Sequence, residues 1–379
     1  MAGVRAVYWI ETDEPALALR ALTRGQSVGN PSIFTRYETT AFLEKWAAHG
    51  KVQTNPGGVS LFQIEWPERN FGAEGVNYLL SVLMGGQCDI DLIRGCRLME
   101  LDLGTCERHY PRPHYGLEGL RQQLGIPERA FVGGIIKPKI GLSPKQLADV
   151  VRQMVEGGCD FIKEDEILAD QYWCPMRTRL PLIRKVCEQA HVLYAACVTG
   201  DGADIWKKAR HARELGATAV HLNVWCGLGA YRDVRSHVQL PLFFQKSGDK
   251  VWTTGPYAIE PHVLCQLVHL IGCDLAHVGM YGGYLAEEAE ALKRRIAAVQ
   301  TTIPSFSCGM TPLLAEQIIQ RFGTDLMVTS GGWIHGQPDG ITAACRQLRH
   351  AVDTASARVV SNRLVDGGVQ TEPVAHQSL

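Results

Sequence analysis

The chain carries almost no net charge: 38 Lys and Arg stand against 39 Asp and Glu in 379 residues. No overall field therefore draws it to nucleic acid or to an anionic membrane. No apolar run is long enough to cross a bilayer, and Met1–Glu14 lacks the basic start and apolar core of a secretory leader. The twelve cysteines are scattered singly, with no CxxC pair. That spacing argues against a zinc knuckle or a disulfide framework. It is expected of reduced thiols in a cytoplasmic protein, most of them small core residues. No GxGxxG opens a helix after a strand, so a doubly wound dinucleotide fold lacks its usual mark.

What the sequence does contain is a regular alternation. Eight β-rich apolar runs begin at Phe131: Phe131–Ile136, Phe161–Lys163, Val192–Val198, Ala219–Val224, Leu240–Phe244, Asp274–Val278, Thr301–Phe306 and Leu326–Thr329. Amphipathic stretches lie between them, among them Ser143–Glu156, Ile205–Leu215, Glu260–Ile271, Ala286–Val299 and Thr311–Phe322. Eight such units in about 250 residues predict a (β/α)8 barrel over residues 121–379. Residues 1–120 predict a separate, smaller α+β domain of ferredoxin-like type. It has strands at Val4–Ile10 and Val59–Glu65 and helices at Thr39–Ala48 and Ala73–Val82, and it ends near the Pro-rich His109–His114. The tail after Val360 is polar and weakly patterned, and is expected to fray.

A barrel of this kind does its chemistry at the carboxyl ends of its strands, and the polar residues collect there. The first run ends in Lys137-Pro138-Lys139 and the second in Lys163, Asp165 and Glu166. The fourth carries His221 and Asn223, the fifth runs into Gln245-Lys246, and the sixth contains His277. The seventh ends in Ser307-Cys308-Gly309 and the eighth in Ser330-Gly331-Gly332, with His335 just beyond. Asp165 and Glu166 repel each other unless something positive lies between them. A divalent cation held by oxygen suits that need, and Mg²⁺ prefers such ligands. Lys163 joins that ligand set only if it captures CO₂ and becomes an anionic carbamate; otherwise the segment is a solvated charge run. The small residues after the seventh and eighth runs let backbone N–H groups close on a phosphate, or else form ordinary turns.

These segments together resemble the RuBisCO large-chain superfamily, and its RuBisCO-like (form IV) proteins in particular. Ile136–Ser143 matches the family's first-strand signature and Gly157–Glu166 its metal-ligand signature, with His277-Val278-Gly279 and Gly331-Gly332 in the expected order. The resemblance implies that Lys163 is carbamylated and holds Mg²⁺ with Asp165 and Glu166. It implies that Lys137 sits at the proton-transfer position with Lys139 beside it, the carbamate on Lys163 being a second candidate base. His277, Ser307, Gly309, Gly331 and Gly332 would contact a phosphorylated substrate, with Lys139 also at the substrate, and Lys246, though it departs from the family's residue, could still pair with a phosphate as a point charge. It further implies a homodimer, or an assembly of dimers, in which the N-terminal domain of one subunit completes the site of the other.

The chain departs from the true carboxylases at telling places. Tyr284 stands where their mobile loop carries a lysine, and a neutral phenol supplies no cationic stabilisation to a carboxylated intermediate. Gln245-Lys246 replaces a histidine–arginine pair, and the Gly-Thr-Trp segment that grips the second phosphate is missing. The expectation is an enolate-forming enzyme that does not carboxylate ribulose bisphosphate. Gln26–Pro31 and the altered fifth strand resemble proteins acting on 3-oxo-isoapionate 4-phosphate, which points to decarboxylation of a β-keto sugar-acid phosphate. The alternatives are an enolase or isomerase of a methylthio-pentulose or diketo-methylthiopentyl phosphate in methionine salvage, a Schiff-base aldolase using Lys137, Lys163 or Lys246, and a non-catalytic regulator.

Overall fold

A computed structural model describes residues 3–54, 59–285 and 287–366. Thirteen strands occur among them: β1 (Val4–Glu11), β2 (His49–Thr54), β3 (Val59–Trp66), β4 (Gly95–Asp102), β5 (Phe131–Ile135), β6 (Phe161–Lys163), β7 (Leu193–Cys197), β8 (Ala219–Asn223), β9 (Leu242–Gln245), β10 (Tyr257–Ile259), β11 (Leu275–Gly279), β12 (Ile303–Phe306) and β13 (Met327–Ser330). Eight of them close into a parallel barrel in the order β11-β12-β13-β5-β6-β7-β8-β9. They are the eight runs expected from the sequence, with ends moved by a residue or two. The remaining five form a second sheet, β10-β4-β1-β3-β2.

Alternation along the barrel strands decides what the interior contains. The inward residues at the amino-terminal ends are apolar, with Phe131, Phe161, Leu193, Phe243, Leu275 and Met327 in one buried cluster. Helix Gly116–Leu124 closes this end, placing Leu120 against them. Asp274 fixes the closure: its carboxylate accepts from the amides of Tyr115 (2.7 Å), Gly116 (3.0 Å) and Leu242 (3.0 Å). Farther along the same strands the inward residues turn polar, at Lys163, His221, Gln245, His277, Ser305 and Thr329, all buried. An apolar floor thus carries a polar layer. Phe243 joins the two: it stacks on Phe161 at 5.5 Å, meets the His277 ring edge-on at 5.0 Å, and lies 5.8 Å from Lys163 Nζ.

The outer helices begin where the sequence supplies caps. Ser143 and Gln146 form a capping box ahead of Pro144–Glu156, and the Thr311 side chain accepts from the Leu314 amide ahead of Pro312–Phe322, each satisfying donors that the first turn leaves unpaired.

The N-terminal lobe is richer than its sequence suggests. β1 pairs antiparallel with both β3 and β4, and β10, from the barrel half of the chain, adds to β4 in parallel, with Tyr257 opposite Cys96 and Ile259 opposite Leu98. Arg97 ties that junction through Glu260 (3.1 Å) and the Gly255 carbonyl (2.6 Å). The last helix runs from Gly340 to Asp366, so the chain does not fray at Val360; residues 367–379 lie outside the described part. Among the described residues no helix is long and apolar enough to cross a membrane.

Phe243→Ala removes the ring that separates floor from site. It is expected to lower the unfolding free energy by about 3–5 kcal/mol, as measured by urea denaturation.

Candidate active site

Lys163 ends β6 inside the barrel with 0% exposure. Its Nζ donates to the Glu164 carbonyl at 3.1 Å and lies 3.9 Å from Glu166 Oε2. Burial lowers its pKa against the opposing pull of Glu166 and Asp165; this favours the neutral amine, the form that adds CO₂. Burial alone would raise Glu166, but the Lys163 charge, backbone and Ser247 donors, and Lys139 outweigh it and bring the carboxyl to about 2. Asp165, equally hidden, lies 2.5 Å from Lys137 Nζ and 4.0 Å from Lys139 Nζ. Lys137, Lys139, Lys163, Asp165 and Glu166 therefore form one cluster at the barrel mouth.

Among the described residues no group of three His, Cys, Asp or Glu side chains is arranged to hold a metal ion. A centre here needs Lys163 as its third ligand, and the surroundings fit that role. As a carbamate it would join two carboxylates in an all-oxygen set, faced by the ammonium groups of Lys137 and Lys139. Inside the barrel, both ring nitrogens of His221 and the Oε1 of Gln245 lack partners among the described residues, an uncommon condition for buried polar atoms. A carbamate oxygen on Lys163 would accept from a His221 ring N–H, whereas Gln245 Oε1, itself an acceptor, needs a donor. His221 is thus not the quietly satisfied core histidine its apolar strand suggests. Burial, with Lys163 next, holds its pKa well below the ordinary range.

Glu164 is set apart from Asp165 and Glu166 by nothing in the sequence. It points away from Lys163 into a second buried cluster, where Arg179 grips it at 2.7 and 2.8 Å. The Tyr194 hydroxyl and the Cys197 amide each donate to it at 2.8 Å. Alternation along the chain could have signalled this, since neighbours of an inward Lys163 must face outward.

The remaining site residues surround the same mouth. Ser307 Oγ contacts His277 Nδ1 at 3.0 Å; burial, then the charges of Lys163 and Lys246, pull His277 down to about 3. Ser330 Oγ donates to the Met310 carbonyl at 3.0 Å, which holds the loops after β12 and β13 together. A Cβ at Gly331 would sit 3.3 Å from Lys137 Cε, whereas one at Gly332 would meet nothing within 4 Å. Gly309 has φ +94° and packs against the Tyr284 backbone, so the loop after β13 presents bare backbone beside Lys137 and the loop after β12 presents it beside Tyr284. Tyr284 itself is 83% exposed. Lys246 stands apart from the cluster, 3.3 Å from Asp249. The Gln26–Pro31 stretch is structural within its own lobe: Gln26 Nε2 donates to the Val82 carbonyl at 2.8 Å and the Gln26 carbonyl accepts from Trp66 at 3.1 Å.

His335 belongs with the site. Its Nε2 lies 3.1 Å from the Lys137 amide and 3.2 Å from the Ile135 carbonyl. Accepting from that amide requires a neutral ring. Burial, aided by the Lys137 charge and opposed by the Ile135 carbonyl, lowers its pKa to about 4.

A (β/α)8 barrel with a lysine–aspartate–glutamate cluster at its mouth, flanked by an α+β lobe that takes β10 into its sheet, defines a narrow class. The family model of the ribulose bisphosphate carboxylase large chain, catalytic domain, matches residues 116–375. The chain belongs to this family, and within it to the RuBisCO-like proteins. It is 33% identical over 317 residues to a ribulose bisphosphate carboxylase-like protein of Bordetella bronchiseptica, covering 78% of this chain and 74% of that one. It is 29% identical to the 3-oxo-isoapionate-4-phosphate transcarboxylase/hydrolase of Xanthobacter autotrophicus, covering 93% and 94%. It is 30% identical to the 2,3-diketo-5-methylthiopentyl-1-phosphate enolase of Geobacillus thermodenitrificans, covering 91% and 86%. Among solved structures, a rubisco-like protein of Alicyclobacillus acidocaldarius superposes with a TM-score of 0.83 at 25% identity, covering 94% of each chain.

Two consequences are measurable without substrate. Glu164→Gln leaves the buried Arg179 with only Asp170, 3.9 Å away, as counter-charge and is expected to cost about 3–5 kcal/mol in urea unfolding. Because the folded state keeps His335 neutral, the unfolded chain takes up its proton first as pH falls below about 6.5. Stability is then lost between that pH and about 4, at up to about 1.4 kcal/mol per pH unit for this group. His335→Asn should flatten that slope in urea titrations run at successive pH values.

Proposed function

We propose that the protein is a Mg²⁺-dependent enzyme that forms an enolate from a phosphorylated keto sugar acid, most simply by decarboxylating a β-keto sugar-acid phosphate, and that it does not carboxylate ribulose bisphosphate. The observation that carries this reading is the convergence of Lys137 on Asp165, beside the Lys163–Glu166 pair and next to the bare backbone at Gly331. Lys163 as its carbamate, Asp165 and Glu166 would hold the ion, which when bound supplies positive charge to an oxygen where an enolate develops.

The chain's own residues account for the rest. Gly309, Gly331 and Gly332 offer N–H groups to the phosphate, with Ser307 and His277 beside them. The bond between the α-carbon and the carboxylate breaks, CO₂ leaves, and its electron pair passes through the α-carbon to the ketone oxygen. Lys137 Nζ then delivers a proton to that carbon and the ketone returns. Run from a C–H bond instead, the same site gives enolisation, the reaction type in the name of the Geobacillus relative. The Xanthobacter relative, matched over nearly its whole length, is named for a keto sugar-acid phosphate, and this favours the first substrate class. The carboxylase reading is disfavoured by Tyr284, whose phenol offers no positive charge. We also read the working unit as a homodimer, or an assembly of dimers, with sites shared between subunits, as the family resemblance implies; the exposed Ile33, Phe34 and Tyr37 of the N-terminal lobe are apolar groups such contacts would cover.

A panel of β-keto acid and 2-keto sugar phosphates, assayed with Mg²⁺ and bicarbonate for CO₂ release and deuterium uptake, tests the reaction. EDTA should abolish turnover and Mg²⁺ restore it. Lys163→Ala should lose both activity and bicarbonate activation; persistent Mg²⁺-dependent turnover would sink the carbamate. Lys137→Met should keep metal binding while solvent exchange into substrate stops, and exchange at the wild-type rate would place the proton-transfer group elsewhere.

A further inference from the structure

The two oxygens of Glu166 have different neighbours. Oε2 faces Lys163 Nζ at 3.9 Å, whereas Oε1 lies 3.1 Å from Ser247 Oγ. The side chain is 17% exposed, so an ion entering at the barrel mouth can reach it.

Hydrogen-bond chemistry fixes the direction of these contacts. An ionised carboxylate only accepts, so the Ser247 hydroxyl gives its one proton to Glu166 Oε1. Ser247 Oγ is then an acceptor toward its other neighbour, and Gln245 Nε2 donates to it at 2.6 Å. Gln245 is buried, so this amide group works on the serine and meets nothing from solution. The donors run one way, from Gln245 through Ser247 to Glu166, and successive bonds of that kind reinforce each other.

The serine backbone is held as well. Asn223 Nδ2 donates to the Ser247 carbonyl at 3.2 Å, and the Asn223 amide donates to Thr199 Oγ1 at 3.2 Å. Cys197, two residues before Thr199, donates its thiol to the Glu166 carbonyl at 3.4 Å. The ends of β7, β8 and β9 thus each send polar groups into contacts that close on Glu166, at its backbone and at one carboxylate oxygen.

A carboxylate oxygen that already holds a hydroxyl proton is a poor metal ligand, so Glu166 offers a cation one oxygen. A small octahedral ion such as Mg²⁺ is content with one. Ca²⁺ gathers about six to eight oxygens, and taking both from one carboxylate is a usual way to reach that number.

We propose that Ser247 is a specificity-determining residue for the metal: it reserves Glu166 Oε1, leaves Oε2 as the single oxygen for the ion, and so favours Mg²⁺ over Ca²⁺, with Gln245 a positioning residue that acts through Ser247. This rests on the preceding reading, in which Lys163, Asp165 and Glu166 hold Mg²⁺.

Mn²⁺ binding in bicarbonate buffer tests it, with free Mn²⁺ followed by electron paramagnetic resonance and with Mg²⁺ and Ca²⁺ as competitors. The wild type should be displaced by Mg²⁺ at lower concentration than by Ca²⁺. Ser247→Ala should move the Mg²⁺/Ca²⁺ preference about tenfold toward Ca²⁺, and Ser247→Thr, which keeps the hydroxyl, should stay within about twofold of wild type. Gln245→Leu should move it about threefold in the same direction; joined to Ser247→Ala it should add nothing, because its effect passes through the serine. A wild type that prefers Ca²⁺, a preference unchanged in Ser247→Ala, or a Gln245→Leu shift that adds in full to the serine variant would overturn the proposal and leave the metal reading intact. A wild type that binds no Mn²⁺ with bicarbonate present would instead remove the metal reading, and the proposal with it.

Discussion

A lysine with no exposure inside a barrel is the constraint on which the rest of the site depends. An ammonium group taken from water must lose its charge, find counter-charges, or be converted to something else. Lys163 has two carboxylates nearby, yet each is also engaged: Asp165 by Lys137, and Glu166 by Ser247. Burial lowers the lysine's pKa and favours the neutral amine, which leaves both carboxylates with those partners; the proposed carbamate would add a third anion, which a bound cation would offset.

Holding Lys163 in place is a task for residues facing the other way. Glu164, one position on, is clamped by four donors from Arg179, Tyr194 and Cys197. A buried ion pair of this kind contributes little net stability and much geometric definition. It prevents the strand end from rotating, so that Lys163 faces inward while Asp165 and Glu166 follow at the rim. The apolar floor beneath plays the complementary part, with Phe243 touching both the core below and the polar layer above.

The barrel was legible because its signal is redundant: eight runs, each bounded by an amphipathic stretch, leave few other folds. The N-terminal sheet was half legible. His49–Thr54 has no apolar alternation, Gly95–Asp102 mixes charge into a buried strand, and Tyr257–Ile259 is too short to register, so β2, β4 and β10 went unseen. Within the site, Lys163, Asp165 and Glu166 announce themselves by adjacency in sequence. The contacts that tune them do not, because they join distant segments: Ser247 reaches Glu166 from 81 residues away and His335 reaches Lys137 from 198. Asp249 could have been noticed three residues after Lys246, but a charged pair at that spacing is usually a solvated one, and only burial gives it meaning.

The excursion of β10 gives the segment between β9 and the next helix an unusual mechanical status. Residues 246–256 leave the barrel carrying Lys246, Ser247 and Asp249, and the far end of that stretch is hydrogen-bonded into the sheet of the other lobe. The segment is a strap fastened at both ends to different bodies. The hydroxyl that donates to Glu166 thus sits on a stretch whose other end belongs to a different sheet, so the same eleven residues serve the barrel mouth and the seam between the lobes.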